Sequence, residues 1–159
     1  METTGIQIRR ATINDLSSIC DLSQQLFEYE RQFTNEYNMD WSHAKEGQKF
    51  FSKCLKSRKS FTLLAQDGDK LVGYILVTIH KLAWRAFNPI AEVDNLSISP
   101  EYRGKGIGTK LMLQAKQLAM KRGAKRMSVS ALSDNVRALH FYRQYGFEKF
   151  VTSLVMKMN

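Results

Sequence analysis

A cluster of three glycines constrains this chain more than any other feature of its sequence. Gly104, Gly106 and Gly108 follow a stretch rich in β-forming residues and precede a stretch with helical spacing of apolar residues. Glycine lets the backbone bend so that successive N–H groups point to one place, and a helix that begins there adds unpaired N–H groups and its positive dipole end. The arrangement predicts a turn that binds a diphosphate. The alternative is a flexible turn that only connects a strand to a helix.

The spacing of these glycines excludes two well-known nucleotide-binding motifs. A P-loop needs a glycine five residues after Gly104, where Thr109 stands, and a dinucleotide-binding turn needs its third glycine one residue later than this chain has it. Acyl-serine chemistry is unsupported because no G-x-S-x-G motif occurs. No metal is predicted either, because the histidines lack the spacing of metal ligands: His43, His80 and His140.

Alternation and helical periodicity predict elements in the order β-α-α-β-β-β-α-β-α-β. Thr12–Asp15 resembles a capped helix start, and Ser42 is predicted to cap a second helix. Asp67–Lys70 has the composition of a tight turn between strands. The predicted strands cover residues 6–9, 61–65, 71–80, 90–99 and 127–131, with one or two more in 147–158, and the later helices cover 108–122 and 135–145. With no repeat or linker, the pattern predicts a single domain over residues 1–159.

The composition is that of an ordinary globular domain. The 159 residues are 43% hydrophobic and 25% charged, and no apolar run approaches the roughly 20 residues of a membrane span. The polar start, Met1–Thr4, does not resemble a signal peptide, and the two cysteines, Cys20 and Cys54, cannot form a disulfide framework. These features predict a cytoplasmic protein with no membrane partner.

The net charge of +9 lies entirely in residues 101–159, because residues 1–100 contain equal numbers of acidic and basic side chains. A basic half of this kind indicates an anionic partner, such as a phosphorylated cofactor or a nucleic acid, or only a charged surface. Nucleic acid is disfavoured, because no recognised reader motif is present.

Two segments resemble the GNAT superfamily of N-acetyltransferases. Arg103, Gly106 and Gly108 match its acyl-coenzyme-A-binding signature Q/R-x-x-G-x-G/A. A later segment resembles the superfamily's N-x-x-A-x-x-x-Y motif followed by Gly-Phe, with Asn135 and Tyr142 at its ends. The resemblance implies the α/β (α+β) GNAT fold: a mixed, mostly antiparallel sheet of six or seven strands flanked by about four helices.

The resemblance implies acetyl-CoA as co-substrate. Backbone groups of Leu96, Ser97 and Ile98 are expected to pair with the pantetheine arm in a gap beside their strand. The backbone amides of one continuous segment are expected to hold the diphosphate: Arg103, Gly104, Lys105, Gly106, Ile107, Gly108 and Thr109.

The second motif is expected to complete this site. Asn135 and Tyr142 are seven residues apart, which places them on nearly the same face of a helix, and the small Ala138 between them leaves room for a cofactor. The resemblance implies that Tyr142 is the general acid for the leaving thiolate. The alternative is an ordinary half-buried core tyrosine.

A base is useful because the acceptor amine, with a pKa near 10.4, costs about 4–5 kcal/mol to deprotonate at neutral pH. Glu92 and Asp94 are the candidates. Strict alternation predicts that both share a face with Leu96 and Ile98, although a bulge in this strand would break that pattern. The alternative is charges at the end of a strand, each paired with a neighbouring basic residue.

The sequence therefore predicts acetyl transfer by direct attack of a primary amine in a ternary complex, with a small amine as the expected acceptor. Alternatives are a protein N-terminus or lysine as acceptor, and a module that binds acyl-CoA without turnover. The acceptor site is expected in residues 24–50 and 82–90, where acidic side chains either form a rim for a cationic amine or belong to a solvated helix face: Glu28, Glu30, Glu36 and Asp40. A homodimer is left open.

Overall fold

Five strands lie side by side in chain order in the computed structural model, which describes residues 5–158. Neighbouring strands are antiparallel except for the last pair, which is parallel. The strands are β1 (Ile6–Arg10), β2 (Ser60–Asp67), β3 (Lys70–His80), β4 (Ile90–Ile98) and β5 (Arg126–Val129). The tight turn expected at residues 67–70 joins β2 to β3.

Helices cover both faces of this sheet. They are α1 (Leu16–Glu30), α2 (Lys45–Lys56), α3 (Ile107–Lys121) and α4 (Val136–Gln144), and two short 3-10 turns precede α1 and α3. One core cluster joins α1 and α2 to the sheet through side chains such as Ile19, Phe51 and Leu76. The other joins α3 to the opposite face through side chains such as Val93 and Leu111. Alternate residues of each central strand therefore serve two different cores.

The predicted start of the first helix is confirmed. The Thr12 backbone N–H donates to the Asp15 carboxylate at 2.8 Å, and the Arg9 guanidinium donates to both oxygens of the same carboxylate at 2.8 and 3.0 Å. This bidentate contact fastens β1 to the helix and lowers the pKa of Asp15, chiefly through the hydrogen bonds from Arg9.

The second helix begins later than expected. Ser42 does not cap it, because the residue before its first turn is Ala44. The Ser42 hydroxyl is buried instead and shares a 2.9 Å hydrogen bond with the hydroxyl of Ser23 on α1. Ser42 therefore attaches the segment between the two helices to α1 and does not cap α2.

The expectation of a sheet with six or seven strands is wrong for the described chain, whose sheet has five strands. A strand requires backbone pairing with a neighbour, and residues 147–158 pair with no strand. Their apolar side chains stay outside the core, with Leu154 and Val155 each 90% exposed. The α+β class with four helices agrees with the expectation.

A bulge interrupts β4 and decides how its side chains point. Val77 of β3 faces Val93, whereas Leu76 faces Asn95, so Asp94 is an extra residue with no partner in β3. The pairing of β4 with β5 ends at the same place, because Val93 faces Val129 in the last parallel pair. Beyond it, β4 continues to Ile98 alone on that side.

Within residues 5–158, no helix combines the length and apolar character that crossing a membrane requires.

Candidate active site

A cavity of about 310 Å³ lies where β4 and β5 separate. Its walls come from the end of α1, the second half of β4, the glycine turn, the segment after β5, and α4. The residues expected to bind the cofactor all line it except Lys105: Leu96, Ser97, Ile98, Arg103, Gly104, Gly106, Ile107, Gly108, Thr109, Asn135 and Tyr142. The structure thus brings both sequence motifs to one site.

The gap between the strands has free backbone groups on its β4 side. The Ser99 N–H donates to the Val72 carbonyl at 2.8 Å, towards β3. Because backbone groups alternate along a strand, those of Ser97 also face β3, whereas those of Leu96 and Ile98 face the gap. The Ile98 carbonyl accepts a hydrogen bond from Arg103 Nε at 3.0 Å. Among residues 5–158, no group bonds to the Leu96 backbone or to the Ile98 N–H on this side, so these groups are open to a ligand.

The glycine turn presents a continuous row of unused donors. Within residues 5–158, the backbone N–H groups of residues 104–109 donate no hydrogen bond to another group of the protein. Gly104 and Gly106 have φ values of +74° and +77°, which non-glycine residues rarely adopt. A Cβ added to either would meet no atom within 4 Å, so the turn faces open space. The amides therefore form an anion-binding surface at the start of α3.

Gly108 has a different role, which is close packing. A Cβ at this position would lie 3.4 Å from Phe141 Cε2, so glycine lets α3 approach α4 closely. Beside it, the Tyr145 hydroxyl donates to Thr109 Oγ1 at 2.5 Å. These contacts attach the second sequence motif to the glycine turn.

Two basic residues of the turn contact aromatic rings. The Arg103 guanidinium lies 4.4 Å from the ring centroid of Tyr29 on α1, and burial lowers its pKa. Together with its bond to Ile98, this contact holds the turn against β4 and α1. The Lys105 ammonium lies 5.0 Å from the ring centroid of Tyr102 and does not line the cavity.

Asn135 and Tyr142 both line the cavity, but Asn135 is not inside the helix as the spacing suggested. It is the N-cap of α4, buried, and its Oδ1 accepts from the Ala138 N–H at 3.1 Å. The Tyr142 hydroxyl bonds to no group of residues 5–158. Burial raises the pKa of Tyr142 to about 12, and the negative charge of Glu30 adds to the shift.

Glu92 and Asp94 do not share a face with Leu96 and Ile98, so the expectation from strict alternation is wrong. The bulge at Asp94 reverses the alternation: Leu96 and Ile98 pack with the α3 core, whereas Glu92 faces Thr78 on the side of α1 and α2. Neither carboxylate lines the cavity. Their side chains belong to a separate polar cluster.

Within this cluster, Glu92 Oε2 lies 3.0 Å from His80 Nε2, and Asp94 Oδ2 accepts from the Thr78 hydroxyl at 2.5 Å. The Asp94 side chain reaches solvent at the bulge, yet the surrounding protein partly desolvates it and raises its pKa. The neighbouring Glu92 charge adds to this rise, and the Thr78 hydrogen bond opposes it. A carboxylate with a raised pKa is a better proton acceptor than an ordinary one.

The sequence analysis does not identify several residues that line the cavity. Glu30 is the most important of them: the sequence does not separate it from the other acidic residues of a rim or a solvated face, whereas the structure shows that it lines the cavity beside Leu26 and Tyr29. Helical spacing is the sequence feature that could have placed Glu30 in the cavity, since Leu26 and Glu30 are four residues apart and share a helix face. Nothing in the sequence marked the others: Ser130, Ala131, Arg137 and Phe141.

Comparison with known proteins identifies the class that this fold and cavity define. Residues 20–147 match the family described as Acetyltransferase (GNAT) family. The chain belongs to this family, and it is an acyltransferase.

Individual relatives agree with this assignment. The chain is 27% identical over 144 residues to the thialysine N-epsilon-acetyltransferase of Bos taurus. The match covers 89% of this chain and 83% of the relative. It is also 27% identical over 142 residues to an uncharacterized N-acetyltransferase of Methanocaldococcus jannaschii, covering 89% of this chain but only 60% of that longer relative.

Solved structures share the fold. A Bacillus halodurans protein superposes with a TM-score of 0.84 at 18% identity, covering 96% of this chain and 99% of that one. An aminoglycoside acetyltransferase, AAC(6')-Iy, solved with a bisubstrate analogue of CoA, superposes with a TM-score of 0.75 at 13% identity, covering 98% and 99% of the two chains.

Proposed function

We propose that this protein transfers an acetyl group from acetyl-CoA to a primary amine of a small acceptor by direct attack. The observation that carries the proposal is the gap beside β4, which opens onto the unpaired amides of residues 104–109. A long cofactor with a diphosphate at one end and a thioester at the other fits such a gap next to such a turn. The relative that acetylates thialysine supports an amine acceptor.

The residues present fit the cofactor. The amides of residues 104–109 would bind the diphosphate, with the N-terminal end of α3 adding its positive dipole. The open backbone groups of Leu96 and Ile98 would pair with the amides of the pantetheine arm and fix the depth of the thioester. Ser97 lines the cavity, but its side chain bonds to the Leu22 carbonyl at 3.0 Å and its role is to hold β4 against α1.

Tyr142 is the proposed acid. Because burial holds its pKa near 12, the phenol is protonated at every physiological pH. Its hydroxyl has no protein partner among residues 5–158 and is free to donate to the sulfur of the leaving thiolate. A hydrogen bond that forms as negative charge develops stabilises the transition state more than the ground state.

Asp94 and Glu92 remain the proposed bases, acting through water because neither lines the cavity. Asp94 is the better candidate, since its pKa is raised and it lies on the bulge just before the open part of β4. Glu92 is engaged by His80. The proton of the acceptor ammonium would pass through solvent to this cluster before the nitrogen attacks.

Direct attack without a covalent acyl-enzyme is supported by the cysteines. Cys20 is buried in the α1 core, and Cys54 is part-buried on α2; neither lines the cavity. Burial raises the pKa of both thiols, which disfavours the nucleophilic thiolate.

A peptide acceptor is the second candidate. The segment between β3 and β4 does not close the cavity, because none of residues 81–89 lines it and Trp84 is 72% exposed. The test is release of CoA thiol from acetyl-CoA with a panel of small amines, amino acids, polyamines, and peptides with a free N-terminus or lysine. Turnover of small amines above peptides supports the proposal; preference for peptides favours the second candidate, and no release with any acceptor contradicts both.

A further inference from the structure

Among the carboxylates of residues 5–158, only that of Glu30 lines the cavity. Glu30 is the last residue of α1, and it is half-buried rather than solvated. It forms no ion pair with any residue of the described chain, although two arginines, Arg103 and Arg137, also line the cavity. Arg103 is already held by Tyr29 and Ile98. A carboxylate without a counter-charge is destabilised when it is partly buried in a cavity, and a cationic ligand would offset that cost.

The segment after α1 places an aromatic hydroxyl beside this carboxylate. Tyr37 stacks on Phe27 of α1 with ring centroids 4.7 Å apart, and Trp41 lies 5.9 Å from the same ring. Tyr37 is close enough to Glu30 for their charges to interact: burial and the Glu30 charge raise the pKa of Tyr37 to about 12. Burial raises the pKa of Glu30, and the hydrogen bond from Tyr37 opposes that rise. Tyr37 therefore interacts with Glu30 without supplying a counter-charge.

We infer that Glu30 binds a second, non-reacting cationic nitrogen of the acceptor, so that the preferred acceptors are diamines or polyamines. This inference rests on the proposed function and assigns a substrate class to the same site. The attacking nitrogen must lose its charge before it forms a bond to the thioester carbon, so a lasting carboxylate partner does not favour it. A second ammonium keeps its charge throughout the reaction, and a desolvated carboxylate stabilises it in both ground and transition states.

The experiment compares 1,4-diaminobutane with butylamine, which have the same carbon chain and differ by one ammonium group. We expect kcat/KM of the wild-type protein to be at least tenfold higher for the diamine. In Glu30→Gln this preference should fall to about twofold or less, mainly through a higher KM for the diamine. Glu30→Asp keeps the charge and should retain part of the preference.

Glu28→Gln is the matched control, because Glu28 lies on the same helix with the same charge but is exposed and lies outside the cavity. It should keep the preference of the wild-type protein. CoA affinity, measured calorimetrically for every variant, verifies that each one is folded.

Three results overturn the inference: equal kcat/KM for the two amines in the wild-type protein, an equal loss for both amines in Glu30→Gln, or the same loss of preference in Glu28→Gln. Acetylation of butylamine and the diamine alike would leave the proposed function intact. Absence of turnover with every amine in the wild-type protein would instead contradict the proposed function itself.

Discussion

Val93 of β4 faces Val129 of β5 in the last pair of the parallel ladder, and beyond this pair the two strands separate. The bulge at Asp94 begins at the next residue of β4. One irregularity in a single strand thus ends the pairing, opens the cavity, and turns Leu96 and Ile98 towards the α3 core. The site exists because the sheet is interrupted here.

Substitution of Gly106 by valine should block the anion-binding turn. Its φ of +77° is strained for any residue with a Cβ, by about 1–2 kcal/mol, and the new side chain would enter the open space in front of the amides. We expect CoA affinity, measured calorimetrically, to fall by at least tenfold. Gly68→Val is the control, because Gly68 also has a positive φ with open space but lies in the turn between β2 and β3. Tight CoA binding by Gly106→Val would refute the role of the turn.

Replacing Tyr142 by phenylalanine should remove the proposed acid and leave the cavity filled. We expect kcat to fall by about 100-fold or more, with acetyl-CoA affinity little changed, because the hydroxyl acts on charge that develops only during the reaction. Steady-state kinetics together with equilibrium binding check this. If kcat stays within a factor of two of the wild-type value, Tyr142 is not the acid and its hydroxyl is only part of the cavity wall.

Asp94→Asn should change the pH dependence of the reaction. A base works only when deprotonated, so the wild-type kcat/KM should rise with pH through the pKa of Asp94, which lies above its ordinary value of 3.8. The variant should lose activity most at low pH and recover towards high pH, where the amine deprotonates in solution. Profiles measured from pH 4 to 10 test this, with Glu92→Gln compared in parallel. An unchanged acid limb in Asp94→Asn, with a lost one in Glu92→Gln, would transfer the role to Glu92.

Much of the site follows from local chemistry that a sequence displays. Gly104 and Gly106 adopt positive φ values that glycine reaches without strain, and asparagine is a favoured residue at the N-cap that Asn135 occupies. The glycine turn could therefore be interpreted from the sequence, whereas the spacing of the second motif placed Asn135 inside the helix and missed its role as the cap.

The remaining features depend on partners that are distant in the chain. The bulge at Asp94 is a mismatch between β3 and β4, so it cannot be deduced from the alternation of β4 alone. Glu30 differs from the exposed Glu28 only because the cavity happens to lie on its side of α1. Residues 147–158 have the pattern of a strand, but no neighbouring strand pairs with them in the described chain.

Asp15→Asn should destabilise the protein by about 1–3 kcal/mol, because it removes the charge that Arg9 and the Thr12 N–H contact. The folded state lowers the pKa of Asp15 below 3.8, so its contribution is present above that pH and is lost as the pH falls below it. Urea unfolding at pH 7 and pH 3 measures both effects. The control is Asp21→Asn, since that side chain is 62% exposed. Equal stability of Asp15→Asn and the wild-type protein at pH 7 would contradict this account.

Hydrogen exchange of the backbone amides, measured with and without CoA, tests the central claim most directly. The N–H groups of residues 104–109 have no acceptor in the described protein, so they should exchange fast in the free state and slowly when CoA is bound. The Ile98 N–H should gain protection with them, whereas amides of the turn between β2 and β3 should not change. CoA binding without protection of residues 104–109 would contradict the proposed site.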